Sequence, residues 1–359
     1  MIKSQKIILT GTHLTPALEF IHQLQQDREF DWKIFYFGRN YNSSVSQDKS
    51  IESKIIPKIG VKFYGLDSGK LDRRWLPNTL QGIPHIFRGF WQAYKTIQEI
   101  KPKYVLSFGG YLSVPVVFAA WLQKIPCLTH EQTSTLSLST KINALFCQKV
   151  ALSFPIANDS SKYVLTGNLL RREIFSTNSK LFKKLIPEIK KYPLIFLTAG
   201  NQGSHHLNLI LKEILPILSQ KYTIIHQCGE EDYFQFKKFA NKFKHYYPYP
   251  YIESPDIGWL FHYSQIIISR SGANTTQELM ALHKKCLLIP LPVSQQNEQL
   301  KNALYLKTRS PKSTIIIKDT EVSAENLLNN INKLIKIKTK NKTLPLNSNL
   351  KLLNLLKKL

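Results

Sequence analysis

Residues that bind metals or form disulfides are scarce in this 359-residue chain. Its four cysteines are scattered along the sequence, and no two of them form a C-x-x-C pair. The sequence also has no D-x-D pair, no H-x-x-x-H pair and no cluster of cysteine with histidine. We therefore expect reduced core thiols, and we expect neither a bound metal ion nor any other cofactor.

Long hydrophobic runs are also missing, although 43% of the residues are hydrophobic. No stretch reaches the roughly 20 apolar residues that a membrane-spanning helix needs. The first residues, MIKSQKIILTGTH, are typical of a strand and a turn rather than of a cleaved signal. The sequence therefore predicts a soluble protein or one that binds a membrane peripherally.

Acidic residues are few: 24 Asp and Glu stand against 49 Lys and Arg, which gives a formal net charge of +25. This balance favours polyanionic partners such as anionic lipid, phosphorylated substrates or nucleic acid. The sequence contains no recognised RNA- or DNA-binding motif, so we do not predict nucleic acid as a partner. Lysine is abundant along the whole chain, so compositional drift is an alternative explanation for part of the charge.

Short apolar runs alternate with longer helical patterns, which predicts an α/β fold with parallel sheets covered on both faces. The two halves repeat the same order of strand, glycine turn and helix, so we predict two Rossmann-like domains. The predicted strands are KIILT, KIFYF, KYVLSF, IPCLT and KVALS in the first half, and PLIFLT, YTIIHQ, QIIIS, CLLIP and STIII in the second.

The polar segment FPIANDSSKYVLTGN predicts the domain boundary. We expect an N-terminal domain at 1–163, a C-terminal domain at 164–330, and a Lys-rich segment at 331–359 that is either loose or a helix returning to the first domain. Ligands of open parallel sheets bind beyond the carboxyl ends of the strands. Two such domains facing each other would place the chemistry in a cleft lined by the glycine turns.

The segment RSGANTTQELM, residues 270–280, combines a turn, a helix start and one acid. Ser271 and Gly272 follow a predicted strand, so the amides of the helix start favour a phosphate. Glu278 lies six residues further on, about 9 Å along the helix axis, which suits a carboxylate that binds the ribose diol of the same nucleotide. A capped helix with a solvated glutamate is an equally good interpretation of this segment alone.

Three other turns carry candidate residues. Gly200, Asn201, Gln202 and Gly203 follow the strand PLIFLT and offer backbone donors to an anion, with a tight structural turn as the alternative. The first half has two corresponding turns after predicted strands. The turn after KYVLSF places Gly109, Gly110 and Tyr111 at a strand end, and the turn after KIILT places His13, a candidate base, at another.

Without a metal, positive charge for a departing diphosphate must come from protein groups. Arg171, in TGNLLRRE at the domain junction, is the candidate, because a guanidinium can hold a phosphate through two hydrogen bonds. In so basic a chain, a simple surface arginine is the alternative.

Taken together, these segments resemble the MurG family, the peripheral membrane N-acetylglucosaminyltransferases of peptidoglycan synthesis, which have the two-domain GT-B architecture. The resemblance extends over nearly the whole chain. It rests on FGGYLSVPVVFAAW, HEQTSTLSLSTKI, GNLLRREI, AGNQGSHHLN, RSGANTTQELMA and EQLKNAL, which occur in the family's order.

The resemblance implies a donor, UDP-N-acetylglucosamine, bound mainly by the second domain. It places uracil near Ile252, the ribose on Glu278, and the diphosphate at Asn201, Gln202, Ser271 and Arg171. It places the donor sugar near Ala273, Asn274, Thr275 and Gln299.

It also implies an acceptor, lipid I, whose 4-hydroxyl would displace UDP with inversion to give lipid II. His13 and Tyr111 would face this acceptor, and Gly11, Thr12, Gly109 and Gly110 would meet its diphosphate. The expected location is the cytoplasmic face of the inner membrane, as a peripheral protein.

Three positions depart from the family pattern. The first turn is TGTH instead of G-G-T-G-G-H, so it keeps only Gly11. Thr133 replaces the asparagine that usually follows HEQ, and Glu298 replaces the usual His or Gln before Gln299. These departures leave two alternatives to lipid II synthesis: a related enzyme with another UDP-sugar or lipid acceptor, and a nucleotide-binding homologue without catalysis.

The segment RRWLPNTLQGIPHIFRGFWQAYK, residues 73–95, interleaves aromatic and basic side chains. This pattern predicts a patch that binds an anionic membrane surface. A helix that packs its aromatic side chains on the first sheet explains the same residues, but the family docks on membranes through this part of the first domain. The predicted patch consists of Trp75, Leu76, Phe87, Phe90 and Trp91.

Overall fold

The computed structural model describes residues 3–41, 49–66, 76–157, 160–200, 203–292, 297–338 and 347–359, with the backbone alone at 76–84 and 86. The chain divides into two compact units. The first consists of Met1–Leu169 together with Asn347–Leu359, and the second is Leu170–Leu346.

The first unit alternates strands and helices around one parallel sheet. Within the described residues this sheet has seven strands in the order β3-β2-β1-β4-β5-β6-β7. In chain order the elements are β1 (Lys3–Thr10), α1 (Leu14–Gln25), β2 (Phe30–Gly38), α2 (Ile51–Ile55), β3 (Lys62–Gly65), α3 (Leu76–Ile100), β4 (Tyr104–Ser107), α4 (Ser113–Leu122), β5 (Cys127–Glu131), α5 (Leu138–Phe146), β6 (Lys149–Leu152) and β7 (Tyr163–Leu165).

The central strands of this sheet contain apolar runs, such as residues 7–9 of β1, because helices cover both of its faces. In β1, Ile7 and Leu9 pack into the core on one face, whereas Ile8 packs into the core on the other. Successive side chains of a strand point to opposite faces, so a continuous apolar run fills both cores. Neighbouring strands repeat this division: Leu106 lies in the first of these cores and Val105 in the second.

The second unit repeats the plan with a six-stranded parallel sheet, counted over its described residues, in the order β10-β9-β8-β11-β12-β13. Its elements are α6 (Ile186–Lys191), β8 (Leu194–Thr198), α7 (His205–Leu218), β9 (Thr223–Gln227), α8 (Glu230–Ala240), β10 (Tyr246–Tyr249), α9 (Ser254–Tyr263), β11 (Ile266–Ser269), α10 (Ala273–Ala281), β12 (Cys286–Leu288), α11 (Glu298–Arg309), β13 (Thr314–Ile316) and α12 (Ala324–Lys336). A short 3-10 helix, Arg172–Phe175, precedes them.

The final helix, α13 (Ser348–Lys357), belongs to the first unit. Leu352, Leu353 and Leu356 are buried in the same core as Ile7 and Leu9. Lys357 adds polar anchors, because its Nζ lies 2.8 Å from a carboxylate oxygen of Asp27 and 2.7 Å from one of Glu29. The last residues of the chain therefore complete a core that its first residues begin.

The unit limits differ from the expected domain limits for identifiable reasons. A boundary at 163/164 would divide β7, which pairs in parallel with β6, and the first unit accordingly continues to Leu169. The segment expected at 331–359 is shared: α12 packs in the second unit through Ile331 and Leu334, whereas α13 packs in the first.

We expect that Leu356→Ala destabilises the first unit by about 2–5 kcal/mol, because it leaves a cavity in a well-packed core. Leu350→Ala is the matched control on the same helix, since that side chain is 50% exposed, and its expected cost is within about 0.5 kcal/mol. Urea unfolding followed by tryptophan fluorescence, to which Trp32 of the same core contributes, measures both. Equal costs for the two variants would contradict the packing of α13 described above.

Candidate functional site

The candidate residues follow central strands at the place where the strand order reverses. In the first unit β1 lies between β2 and β4, and in the second β8 lies between β9 and β11. Open parallel sheets bind ligands beyond the carboxyl ends of the strands at such a switch point. The turns after β1 and β4, and those after β8 and β11, therefore occupy the positions where this fold places ligands.

In the second unit, Glu278 of α10 forms a two-pronged ion pair with Arg171. Arg171 Nε donates to Glu278 Oε1 at 2.8 Å, and Nη2 donates to Oε2 at 2.9 Å. Arg171 Nη1 also donates to Ser254 Oγ at 2.9 Å, which ties the pair to the start of α9. Two residues whose roles the sequence suggested separately, ribose and phosphate binding, are thus in direct contact.

The two partners are not equally buried. The Glu278 side chain is only 1% exposed, whereas that of Arg171 is 26% exposed. Burial acts to lower the pKa of Arg171, but the charge and hydrogen bonds of Glu278 raise it above its ordinary value. Each carboxylate oxygen of Glu278 has a second lone pair. The ion pair with Arg171 therefore holds Glu278 in place and still leaves its oxygens able to accept further hydrogen bonds.

The turn before α10 is held by hydrogen bonds inside the protein. The buried Ser271 hydroxyl donates to the Gln299 carbonyl at 2.8 Å, and Asn302 Nδ2 donates to the Ser271 carbonyl at 3.2 Å. Gly272 is the N-cap residue, and within the described residues no side chain caps α10. The amides of the first turn, where Asn274 and Thr275 lie, therefore present the positive end of the helix.

Other predicted donor residues fall around this turn. Ile252 is buried after β10, and its amide donates to Gln227 Oε1 at 3.1 Å. Gln299 Oε1 accepts from the Leu291 amide at 3.0 Å. Glu298 Oε1, at a position that departs from the family pattern, lies 3.4 Å from Asn302 Nδ2. Ala273 is buried at the start of α10, and Asn201 and Gln202 lie outside the described residues.

Sequence reasoning missed two residues that organise this edge of the second sheet. Gln227, at the end of β9, donates to the Gly200 carbonyl at 2.7 Å and so joins the turn after β8 to Ile252. Arg270 donates to Ser204 Oγ at 2.9 Å and pairs with Asp319. A polar residue at the last position of an apolar strand was the available signal for Gln227.

In the first unit the two glycine turns pack backbone against backbone. The Thr12 amide donates to the Gly109 carbonyl at 3.2 Å. A Cβ added to Gly11 would lie 2.9 Å from that carbonyl oxygen, and one added to Gly110 would lie 2.1 Å from Thr12 Oγ1. Glycine is required at both positions, and the four residues expected to meet a diphosphate pack together in one region, the glycine surface, where Gly11 and Gly109 are buried and Thr12 and Gly110 are partly exposed.

His13 lies beside this surface, close enough that a Cβ on Gly109 would be 3.5 Å from His13 Cδ2. Burial lowers the pKa of His13 below the usual 6.5, and the charge of Glu131 opposes this shift. The imidazole is therefore neutral at pH 7, which is the form that can accept a proton.

Glu131 and His130, which end β5 in the HEQ sequence, were not among the predicted site residues. Glu131 Oε1 accepts from the Thr133 hydroxyl at 2.8 Å and from its amide at 3.1 Å, while Oε2 accepts from the Ser137 amide at 2.9 Å. Thr133 therefore serves to fix the turn around a buried carboxylate. Burial lowers the pKa of His130 to about 4, so this ring is neutral as well.

Tyr111 follows Gly110, and the charge of Arg39, a residue that sequence reasoning also missed, acts on its phenol. Burial raises the pKa of Tyr111, although the interaction with Arg39 acts to lower it. The phenol therefore stays protonated at neutral pH. Arg39 comes directly after β2, and its position after a strand end was the available signal.

The predicted membrane patch is in part an exposed aromatic surface on α3. Phe87 and Trp91 are exposed, whereas Phe90 is half-buried and lies 5.5 Å, ring to ring, from Phe118 of α4. Trp121 was not predicted, but it is exposed and stacks on Phe118 at 5.8 Å. Trp75 and the side chain of Leu76 lie outside the described residues.

Neither a membrane-spanning helix nor a metal-binding cluster occurs among the residues that the structure describes. In the described part of the chain, no helix combines the length and the apolar character needed to cross a membrane. Over the same residues, no three His, Cys, Asp or Glu side chains are grouped so that they could hold a metal ion.

Two compact parallel α/β units, each with a Rossmann-type strand order, define the class of protein as GT-B. The crystal structure of Acinetobacter baumannii MurG matches this fold with a TM-score of 0.71 and 20% identity, covering 99% of this chain and all of that one.

Comparison with known sequences gives the family. The Glycosyltransferase family 28 N-terminal domain matches residues 8–152, and the C-terminal domain of the same family matches residues 194–358. The chain belongs to glycosyltransferase family 28, and the resemblance read from its motifs is confirmed.

Its relatives include the UDP-N-acetylglucosamine--N-acetylmuramyl-(pentapeptide) pyrophosphoryl-undecaprenol N-acetylglucosamine transferases of two clostridia. The Clostridium tetani protein is 32% identical over 92% of this chain and 90% of its own length. The Clostridium botulinum (strain Kyoto) protein is 34% identical over 92% of this chain and 91% of its own length.

The unequal burial of the ion pair leads to a prediction. We expect Arg171→Met to cost about 3–5 kcal/mol of unfolding free energy, because it leaves the Glu278 carboxylate buried without its partner. Glu278→Gln should cost less, about 1–2 kcal/mol, since Arg171 reaches water and an amide oxygen still accepts a hydrogen bond. Arg172→Met, at the exposed neighbouring arginine, is the control. Urea unfolding at pH 7 compares the three, and an equal or reversed order would refute the explanation.

Proposed function

We propose that this family 28 glycosyltransferase moves N-acetylglucosamine from UDP-N-acetylglucosamine to the muramyl 4-hydroxyl of lipid I, which makes lipid II for peptidoglycan synthesis. The observation that carries the proposal is the buried, oriented Glu278 on α10, a helix whose first turn lies at the switch point of the second sheet. The names of the clostridial relatives support the choice of substrates.

The donor's nucleotide would bind to the second unit. Glu278 would accept hydrogen bonds from both ribose hydroxyls while Arg171 holds its carboxylate in place. The diphosphate would meet the α10 amides near Ser271, together with Asn201, Gln202 and the positive charge of Arg171. Ile252 would border the uracil, and the sugar would lie near Ala273, Asn274, Thr275 and Gln299.

The reaction would be a single displacement. His13, which is neutral at pH 7, would take the proton of the acceptor hydroxyl as its oxygen attacks the anomeric carbon. The bond from that carbon to the UDP oxygen breaks on the opposite face, so the linkage inverts to β. Arg171 and the α10 amides would stabilise the charge that develops on UDP, and this stabilisation would not require a metal ion.

The acceptor would be presented by a membrane. Its diphosphate would contact the joined turns of Gly11, Thr12, Gly109 and Gly110, with Tyr111 as a hydroxyl donor beside them. Phe87 and Trp91 on α3 and the exposed Trp121 on α4 would insert among lipid headgroups. We therefore propose a peripheral protein at the cytoplasmic face of the inner membrane, attracted to anionic lipid by its net charge of +25.

Thr133 and Glu298 favour a second candidate, a related transferase with another UDP-sugar or another lipid acceptor. Both side chains contact other residues of their own unit, and both differ from the family's usual residue. A panel of UDP-sugars separates the candidates, because the preferred donor raises the melting temperature most. Binding of UDP without transfer or hydrolysis of any donor would instead indicate a non-catalytic homologue.

We expect purified protein to transfer N-acetylglucosamine to lipid I in the presence of a chelator. In Glu278→Gln, the KM for the donor should rise about 100-fold, since two charge-assisted hydrogen bonds to the ribose are weakened. Glu213→Gln, on the exposed face of α7, is the control and should behave as wild type.

The assay measures initial rates at saturating acceptor, with melting temperatures to confirm that each variant is folded. Loss of transfer on adding chelator, or an unchanged donor KM in Glu278→Gln, would contradict the proposed mechanism.

The aromatic surface gives a separate prediction. Trp91→Ser combined with Trp121→Ser should weaken binding to phosphatidylglycerol vesicles about tenfold or more, because two exposed indoles no longer insert. Phe234→Ser is the control, since Phe234 is 76% exposed on the second unit. Vesicle sedimentation measures both proteins, and an equal loss in the control would show that exposed aromatic residues in general, rather than this patch, cause binding.

A further inference from the structure

Arg39 lies next to the glycine surface of the first unit and has no role in the reaction described above. It directly follows β2, the strand beside β1, and so lies at the same carboxyl edge as the first turn. Tyr36 of the same strand connects the two, because its hydroxyl donates to the Gly11 carbonyl at 2.9 Å. The charge of Arg39 also acts on Tyr111, which comes directly after Gly109 and Gly110.

The guanidinium is held in a fixed orientation. Arg39 Nε donates to Glu52 Oε1 at 2.8 Å, and the Glu52 side chain is 4% exposed against 27% for Arg39. The backbone is fixed as well, since the Ser50 hydroxyl donates to the Arg39 carbonyl and the Ser50 amide donates to the Asn40 carbonyl at 2.9 Å. Side-chain entropy is therefore lost on folding rather than on ligand binding.

The chemistry of this group suits an anion with two phosphates. A guanidinium has five N–H donors in a planar fork, and it matches phosphate oxygens better than an ammonium does. Glu52 receives the Nε–H group, so this ion pair uses only one of the five N–H donors. A partly exposed, charged and rigid group beside backbone turns provides the charge that neutral glycine amides lack.

We propose that Arg39 binds the diphosphate of the lipid-linked acceptor directly, and that Glu52 positions it. This inference rests on the proposed function for the identity of the acceptor. It adds a cationic contact at the shortened TGTH turn, where fewer glycine amides are available. The geometry that carries it is the Glu52–Arg39 ion pair directly after β2, the strand whose Tyr36 hydroxyl donates to the Gly11 carbonyl.

The test measures binding rather than turnover. Farnesyl diphosphate and farnesol are titrated into the full-length protein with saturating UDP, which occupies the donor site. The quantity compared is the ratio of their two dissociation constants, because the lipid tail contributes to both. In Arg39→Gln this ratio should fall about tenfold or more, as expected for the loss of a charge-assisted contact.

Arg28→Gln is the matched control, since Arg28 is exposed and precedes the opposite end of the same strand. It removes the same charge and should leave the ratio unchanged. Arg39→Gln also leaves the buried Glu52 carboxylate without its partner, so Arg39→Gln with Glu52→Gln is measured in parallel. This double variant keeps the site neutral, and it should fold and show the same loss.

Three results would overturn the proposal: no preference for the diphosphate in the wild type, an unchanged ratio in the folded Arg39 variants, or an equal fall in Arg28→Gln. A fourth result would also overturn it. If Arg39→Gln does not change the ratio of dissociation constants in a Tyr111→Phe background, Arg39 acts only through the tyrosine. Failure of the proposed function has a different signature: an Arg39-dependent diphosphate preference without any transfer of N-acetylglucosamine.

Discussion

The ion pair between Arg171 and Glu278 is the contact on which the candidate donor site depends. A buried carboxylate is stable only if its charge is compensated, and Arg171 provides this with two parallel hydrogen bonds. The pair also joins three segments far apart in the sequence, since Arg171 precedes a 3-10 helix, Ser254 begins α9 and Glu278 lies on α10. The position of an acidic group six residues into a helix is thus fixed by a residue more than a hundred positions earlier.

The parallel sheets explain why both units place their polar residues at one edge. Strands buried on both faces have no room for chemistry along their length, so functional groups are confined to the turns that follow them. The turns after β1 and β4 are adjacent because those strands are neighbours in the sheet, and the absence of side chains lets their backbones touch at Gly11 and Gly109. In the second unit, Gln227 and Arg270 connect the corresponding turns through side chains instead.

The sequence was sufficient for the fold class but not for the contacts. All ten predicted strands are present, and the fold class is confirmed, because the buried parallel strands contain continuous apolar runs. Among the described residues, the three strands that were missed, β3, β7 and β10, are short strands at the edges of their sheets, and β10 contains Pro248. Glu278 and Arg171 were each recognisable from their place in the sequence, but their pairing was not. It depends on tertiary packing, as does the pairing of Arg39 with Glu52.

The return of α13 to the first unit has a consequence for biosynthesis. The second unit is continuous in the chain, from Leu170 to Leu346, whereas the first lacks three core leucines until the final residues have been made. During translation, the half that emerges first from the ribosome is therefore the half that finishes last. Its unfinished apolar surface beside α1 would remain uncovered while the later half is already folding.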